Sequence, residues 1–396
     1  MNKKFLDLGY QPLANKYLKT YKKLSLKKNE LFKLSVNFNT KTKLVSLNKK
    51  IPDKKMFDDE YPYKSSMSKT MLNSFKTLSK KIKKRFKPKM FLEIGSNDGA
   101  LIQNFNKNNV VCVEPCSNLA KITKKKGYDT FSEYWNLSLA KKIKSKVNKV
   151  NVIYSANTLT HINDLDDVFK SISYLLDKDG VLIVEDPSFL ECIKKVSYDQ
   201  FYNEHIYIFS VLSVKNLIKK FNFELFDVEI LSTHGGSLRY YIKHKNNNKI
   251  KIKKSVSLQL SREIKFGLHN YSTYKKFGIS VKKSKNDLIK IFKKLKDKNK
   301  KIIGYGATAK ACTVLNYCNI DNEIIDYFVD TTPDKSNRFM PGKNIKIKKY
   351  EKTLLDNVDY IYLGAWNFKD EIFKKEISFI KRGGKFITHV PKPMII

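Results

Sequence analysis

Cysteine is scarce in this chain and poorly placed for structural work. The five are Cys112, Cys116, Cys192, Cys312 and Cys318, with none before residue 112. No Cys-x-x-Cys pair occurs, and an odd number argues against a disulfide framework, so they read as buried thiols in a reducing compartment. Glycine (15) and proline (10) are few, and no long linker or low-complexity tract separates one part of the chain from another. Long apolar runs are absent as well. The longest, near Ile206–Val214, is too short and interrupted to span a bilayer, and Met1-Asn-Lys-Lys leads into a mixed polar stretch rather than a signal peptide. The expectation is a soluble, cytoplasmic protein with no membrane partner.

Acidic residues are outnumbered, 38 against 78 basic ones, for a net charge of +40. The excess is lysine scattered over every segment, without an Arg-rich tract or a Gly/Ser tail. Nucleic-acid binders concentrate charge on one face or arm, so this pattern reads as a compositional bias towards Lys, Asn and Ile and not as a nucleic-acid surface. A diffuse positive potential still favours capture of a small anion. Hydrophobic content of 41%, with 25 Phe and 22 Tyr, makes the chain globular, and 396 residues suffice for two or three domains.

Residues 1–70 read as irregular, with short β-like runs at 31–36 and 43–47. A helical stretch around 67–85 leads through Pro88 into an alternation of apolar strands (91–94, 110–113, 151–155, 181–185) and amphipathic helices (100–107, 117–126, 136–146, 164–176). That alternation implies an α/β, Rossmann-like, doubly wound parallel sheet. Gly180 reads as the C-cap of the helix before Val181. The period shifts towards two over 222–244, giving antiparallel strands around Gly235-Gly236. A lysine-rich helical stretch, 255–298, then precedes a second βαβ pattern from Lys301, with strands near 324–329, 358–363 and 385–389. The expected division is an N-terminal domain (1–70), a core (71–250) and a smaller Rossmann-like C-terminal α/β domain (251–396).

The most informative stretch is Phe91-Leu-Glu93-Ile-Gly95-Ser-Asn97-Asp98-Gly99, a buried strand turning over glycines. After a second apolar run, Val110–Val113, comes Glu114. A glycine turn lets backbone approach a ligand closely, and an acid at the tip of the next strand can accept both ribose hydroxyls of an adenosine. Dinucleotide sites usually hold pyrophosphate on three spaced glycines. Here an aspartate lies between two, a poor neighbour for phosphate and a good one for an ammonium or sulfonium group. The pattern favours S-adenosylmethionine (SAM) over NAD, with Gly95, Asn97 and Gly99 around the methionine part, Glu114 on the ribose, and Glu93 and Asn157, the latter after the fourth strand, as further cofactor-binding candidates.

Several further segments point to one family. They are Leu6-Asp-Leu-Gly9-Tyr-Gln-Pro12-Leu-Ala-Asn15, Tyr61-Pro-Tyr63-Lys-Ser-Ser66, Asn157-Thr-Leu-Thr-His161, Tyr198-Asp-Gln-Phe-Tyr202-Asn-Glu204-His205, His234-Gly-Gly-Ser-Leu-Arg239, Gly304-Tyr-Gly-Ala-Thr-Ala-Lys310, Met340-Pro-Gly342 and Ala365–Glu371. In this order and spacing the chain resembles the three-part SAM-dependent C-methyltransferases of nucleotide-linked 4-keto-6-deoxyhexoses. The resemblance runs over nearly the whole chain. It implies a nucleotide-sugar substrate, and catalytic or substrate-contacting roles for His205, Tyr202, Glu204, His161 and one tyrosine of the Tyr61/Tyr63 pair, of which Tyr63 is chosen. One departure stands out. The family's N-terminal domain carries four cysteines on a structural zinc, whereas Asn, Thr and Lys fill 37–43 here and no four-thiolate site can form. No metal is expected, and the N-terminal domain must be held by packing.

Carbon methylation beside a ketone needs a base, enolate stabilisation and a methyl donor. A neutral imidazole at His205 suits removal of the acidified C3 proton, Glu204 would orient it or bind a sugar hydroxyl, and Tyr202 would donate to the enolate oxygen. His161 is open between a site role and capping the helix that begins near Asp164. His234-Gly-Gly is open to reading as a simple hairpin turn. Arg239 is open between a substrate phosphate and a surface salt bridge. The second glycine turn, with Lys310, is open between a pyrophosphate site and a structural βα turn, and no second cofactor is expected. The nucleotide, the sugar, the carbon methylated and the oligomeric state stay open, as do two rival readings: a SAM enzyme with an oxygen, nitrogen or RNA acceptor, and a non-catalytic SAM- or sugar-nucleotide-binding protein.

Overall fold

The computed structural model describes residues 1–20 and 30–396. Its strands form three sheets. The first joins β1 (Asn2–Gln11), β2 (Phe32–Asn39) and β3 (Val45–Leu47) in antiparallel order. The core sheet contains β4 (Phe91–Ile94), β5 (Val110–Val113), β6 (Asp129–Phe131), β7 (Val150–Ala156) and β8 (Leu176–Pro187) as parallel neighbours. β9 (Tyr207–Ile208) then leaves the core and pairs with β3, so the first sheet is closed by a strand that follows His205 directly. β10 (Phe223–Leu231) and β11 (Ser237–His244) return antiparallel to complete the core order β10-β11-β8-β7-β4-β5-β6.

β4 and β5 are buried at every position. Their continuous apolar runs suit a parallel sheet covered on both faces. The helix Lys69–Phe86 covers one face through Met71, Phe75, Leu78 and Ile82, an i, i+4, i+7, i+11 stripe started by the Ser68 side chain, which caps Met71 N–H.

The third sheet holds β12 (Ile302–Tyr305), β13 (Tyr327–Asp330), β14 (Lys346–Lys349), β15 (Tyr360–Leu363), β16 (Lys385–Thr388) and β17 (Met394–Ile395), in the order β14-β13-β12-β15-β16-β17. Only β17 runs antiparallel to its neighbour. Both parallel sheets therefore have a topological switch point, β4/β7 in the core and β12/β15 here. At such points the loops leaving the strands diverge and open a crevice.

Four local expectations are corrected. The first strand of the N-terminal region was hidden because Phe5 and Gly9 interrupt the inward alternation of Leu6 and Leu8. Residues 100–107 form 3-10 turns, Ile102–Asn104 and the start of Lys107–Asn109, instead of a helix. Asparagine side chains compete for the backbone there: Asn104 Nδ2 donates to Leu101 O and Asn106 Oδ1 accepts from Asn108 N. Gly180 lies inside β8 and caps nothing; a Cβ there would meet Leu176 Cδ1 at 2.8 Å and Asn151 O at 2.9 Å. The stretch 255–298 is two helices, Lys254–Phe266 and Tyr271–Lys296, parted where Gly267 takes a left-handed φ of 92°.

Aromatic packing ties the N-terminal sheet to the helix Tyr271–Lys296. Phe5 meets Tyr274 edge-on at 5.2 Å, and Phe38 stacks on the same ring at 4.0 Å. Each such buried aromatic contributes on the order of 2–3 kcal/mol. At Gly278, on the same helix, a Cβ would lie 2.4 Å from the Phe5 carbonyl oxygen, so glycine permits the close approach. Among the described residues, no three His, Cys, Asp or Glu side chains converge in a metal-ligating group.

Candidate active site

The loops at both switch points line one cavity of about 430 Å³. Gly95 and Asn157 follow β4 and β7 into it, and Gly306 and Ala365 follow β12 and β15. The N-terminal region adds Asn15, Tyr61 and Tyr63, and the segment after β8 adds Tyr202 and His205.

On the core side, Gly95 adopts φ 75°, and a Cβ would lie 2.2 Å from Thr158 Oγ1. Only glycine fits that turn. Glu114 closes β5; its oxygens accept from Asn97 N at 2.8 Å and Cys116 N at 2.9 Å, and each keeps a second lone pair for a ribose hydroxyl. Glu93 lines the cavity with Oε2 buried and unpartnered, and burial raises its carboxyl well above the usual range. An orphan carboxyl oxygen there fits the ammonium of a SAM methionine. Glu93, Gly95, Asn97 and Glu114 line this part of the cavity and could hold SAM.

Asn97 lines the cavity as well, and with Asp98 it also fastens a neighbouring segment. Asn97 Oδ1 accepts from Ser65 N at 2.9 Å and its Nδ2 donates to Tyr63 O at 3.1 Å. Asp98 accepts from the Ser66 hydroxyl and from Ser66 N. Asn97 and Asp98 therefore pin the strap 63–66 across the glycine turn, and Asp98 does not face a sulfonium group as its position in the sequence implied. Gly99 stays outside the lining and makes the turn, its N–H donating to Ser96 O at 3.0 Å. Ser66→Ala removes a hydrogen bond to a carboxylate, worth about 1.5–3 kcal/mol. Dissociation of S-adenosylhomocysteine, followed by stopped-flow fluorescence, is expected to quicken about tenfold or more, with little change in melting temperature.

On the acid–base side, His205 Nδ1 lies 2.7 Å from Gln200 O and Nε2 lies 2.5 Å from Tyr202 OH. A carbonyl only accepts, so Nδ1 carries the proton and the Nε2 lone pair receives the phenol. Burial holds His205 well below the usual histidine range and takes His161 down to about 3, so both rings are neutral near pH 7. His161 stacks between Phe57 (5.6 Å) and His205 (5.0 Å) with Nε2 unpartnered. The helix Leu165–Leu175 is capped by Asp164 instead.

Glu204 sits behind the lining. Asn15 Nδ2 donates to its two oxygens at 2.9 and 3.0 Å, and Tyr61 OH donates to Oε2 at 2.9 Å. Tyr61, and not the chosen Tyr63, is the tyrosine joined to the Tyr-x-Glu-His element; Tyr63 lies 42% exposed at the cavity. Burial pushes the Glu204 carboxyl up from 4.5 to about 7, against the lowering effect of Asn15 and Tyr61. The folded state thus holds this proton more tightly than the unfolded chain. Its stabilising contribution is complete below about pH 4.5 and is lost as pH rises through 7. Between about pH 5 and 8, wild type is expected to lose up to about 3 kcal/mol relative to Glu204→Gln in urea unfolding.

The remaining predicted residues fall in two places. Lys310 lines the cavity, its Nζ 3.3 Å from His234 O and 5.3 Å from the Trp366 ring centroid. Arg239 does not line it. Arg239 lies opposite Glu185 on one side and Glu229 on the other, and its guanidinium binds both, with Nη2 to Glu185 Oε2 and Nη1 to Glu229 Oε2 each at 2.8 Å. With 5% exposure it is a buried ion pair, neither a phosphate ligand nor a surface bridge. In the second glycine turn, Ala307 N donates to Asp330 Oδ2 at 2.8 Å, and Lys335 Nζ binds the same oxygen at 3.2 Å, so that acid serves the turn itself.

Sequence reasoning missed Asn15, Gln200, His234 and Lys335, all of which face the cavity. Asn15 and His234 stood inside the quoted motifs. His234, at φ 54°, brings Nε2 within 3.4 Å of Asn157 Nδ2. Gln200 likewise stood inside the quoted Tyr198–His205 motif, and only Lys335 carried no signal.

Residues 63–228 match a methyltransferase domain, and residues 232–391 match a C-methyltransferase C-terminal domain. The C-methyltransferase NovU of Streptomyces niveus is 28% identical over 309 residues, covering 78% of this chain and 73% of that protein. Among solved structures, an S-adenosylmethionine-dependent methyltransferase from Clostridium acetobutylicum superposes with a TM-score of 0.34 at 13% identity, covering 43% of this chain and 91% of its own. Magnesium protoporphyrin IX methyltransferase from Synechocystis with bound SAM gives 0.32 at 10% identity, covering 44% and 78%. A methyltransferase domain followed by a C-methyltransferase C-terminal domain, together with the similarity to a C-methyltransferase, supports a SAM-dependent C-methyltransferase.

Proposed function

We propose that the acceptor is C3 of a nucleotide-linked 4-keto-6-deoxyhexose, methylated through an enolate during deoxysugar or surface-glycan synthesis. The observation that carries this reading is the Gln200–His205–Tyr202 hydrogen-bond chain facing the cavity. When the keto oxygen enters, Tyr202 OH turns from Nε2 to donate to it, which frees the Nε2 lone pair. His205 then takes the C3 proton, and the C–H electron pair moves into the C3–C4 enolate. Bound SAM supplies an electrophilic methyl group on its sulfonium. Lys310 and Lys335 offer positive charge to a substrate diphosphate from the C-terminal side. The domains act as a donor-binding core (71–250), a nucleotide-sugar-binding C-terminal part (251–396) and an N-terminal part (1–70) that completes the site through Asn15 and Tyr61. No helix of the described chain is long and apolar enough to cross a membrane.

The test is incubation with SAM and an NDP-4-keto-6-deoxyglucose in deuterated water. Deuterium at C3 of the unmethylated sugar recovered, together with a product in which one methyl group has replaced the C3 hydrogen, supports the reading. SAM binding with neither exchange nor methylation removes this sugar class and directs the search to other carbon acceptors.

A further inference from the structure

Asp199 does not line the cavity, yet two side chains of the C-terminal unit, Trp366 and His389, converge on it. Its carboxylate is fully buried, at 0% exposure, on the turn Tyr198–Gln200. Trp366 Nε1 donates to Oδ2 at 2.5 Å, and His389 Nε2, also at 0% exposure, lies 3.2 Å from the same oxygen. Both partners belong to the C-terminal α/β unit. The Trp366 ring fills the space where a Cβ of Gly235 would stand, 2.3 Å away, and so packs on the turn that carries His234. The adjacent Gln200 reaches both ways: its side-chain amide donates to His234 O at 2.9 Å, and its own carbonyl accepts His205 Nδ1–H at 2.7 Å. A buried carboxylate is costly unless paired and hydrogen-bonded, so the cost marks a position where geometry matters.

We infer that Asp199 is a positioning residue that sets the tautomer of His205. By fastening the Tyr198–Gln200 turn to Trp366 and His389, it holds the Gln200 carbonyl against Nδ1. That keeps the proton on Nδ1 and the lone pair on Nε2, directed at Tyr202. A loosened turn lets the carbonyl drift, and the neutral ring then populates both tautomers, one of which has no base at Nε2. The effect on rate rests on the proposed role of His205 as base; the effect on the tautomer does not.

The test is 15N-histidine NMR of the full chain, with His205 assigned by the signals lost in His205→Gln, beside steady-state kinetics with SAM and the keto sugar. In wild type, His205 is expected as the single Nδ1–H tautomer. In Asp199→Asn both tautomers appear, and kcat falls about tenfold or more while KM for SAM is unchanged. Trp366→Phe keeps the ring on Gly235, deletes the N–H donor and shifts the tautomer part of the way. It carries the test alone where Asp199→Asn fails to fold. A wild-type tautomer pattern in the folded variants overturns the inference. A shifted tautomer with unchanged kcat upholds the positioning role and removes His205 as the base.

Discussion

His205→Gln is expected to lower kcat by about 10²–10⁴-fold, the range for loss of a positioned general base. Glutamine is close in size and retains an amide donor for the Gln200 carbonyl, so the fold and the glycine turn around Gly95 and Glu114 stay intact. Two measurements separate chemistry from collapse: calorimetric binding of S-adenosylhomocysteine, expected near wild type, and deuterium wash-in at C3, expected to vanish. Wash-in that persists without methyl transfer would move the base elsewhere in the cavity. Tyr202→Phe should lose less, because it deletes the donor to the enolate oxygen and leaves the Nε2 lone pair in place.

Removal of Arg239 should act on stability alone. Its guanidinium is shared between Glu185 and Glu229, and Glu185 is 1% exposed. Deleting one partner of a buried pair strands the other charge away from water, at a cost of about 3–5 kcal/mol. Arg239→Ala is therefore expected to unfold at clearly lower urea while keeping its KM for the sugar nucleotide at low temperature. The double variant Arg239→Met with Glu185→Met removes both buried charges and should recover much of the loss. A raised KM at unchanged stability would return Arg239 to the substrate phosphate.

These two residues show how far the chain could be read before its structure. His205 stood in a dense polar element, Tyr202-Asn-Glu-His, directly after the core sheet, where a loop emerges at the carboxyl ends of strands. Arg239 stood in an equally distinct motif, but its partners lie 54 and 10 positions away in sequence, on neighbouring strands. Strand register brought them together, and local spacing carries no register. The same limit hid the strap: Tyr61–Ser66 was recognisable as a motif, yet its hydrogen bonds to Asn97 and Asp98 cross 32 to 34 residues.

From the sequence alone came the alternating strands and helices, both glycine turns, the acid at the end of β5 and the absence of N-terminal thiolates, because each depends on local periodicity, backbone freedom or residue chemistry. Only the tertiary structure decided that Glu93, and not Asp98, leaves a carboxyl oxygen at the cavity, that Tyr61 joins Glu204, and that Asp199 on the Tyr198–Gln200 turn meets Trp366 and His389 of the C-terminal unit. Those choices depend on which side chains are desolvated together, and desolvation is a property of the packed chain.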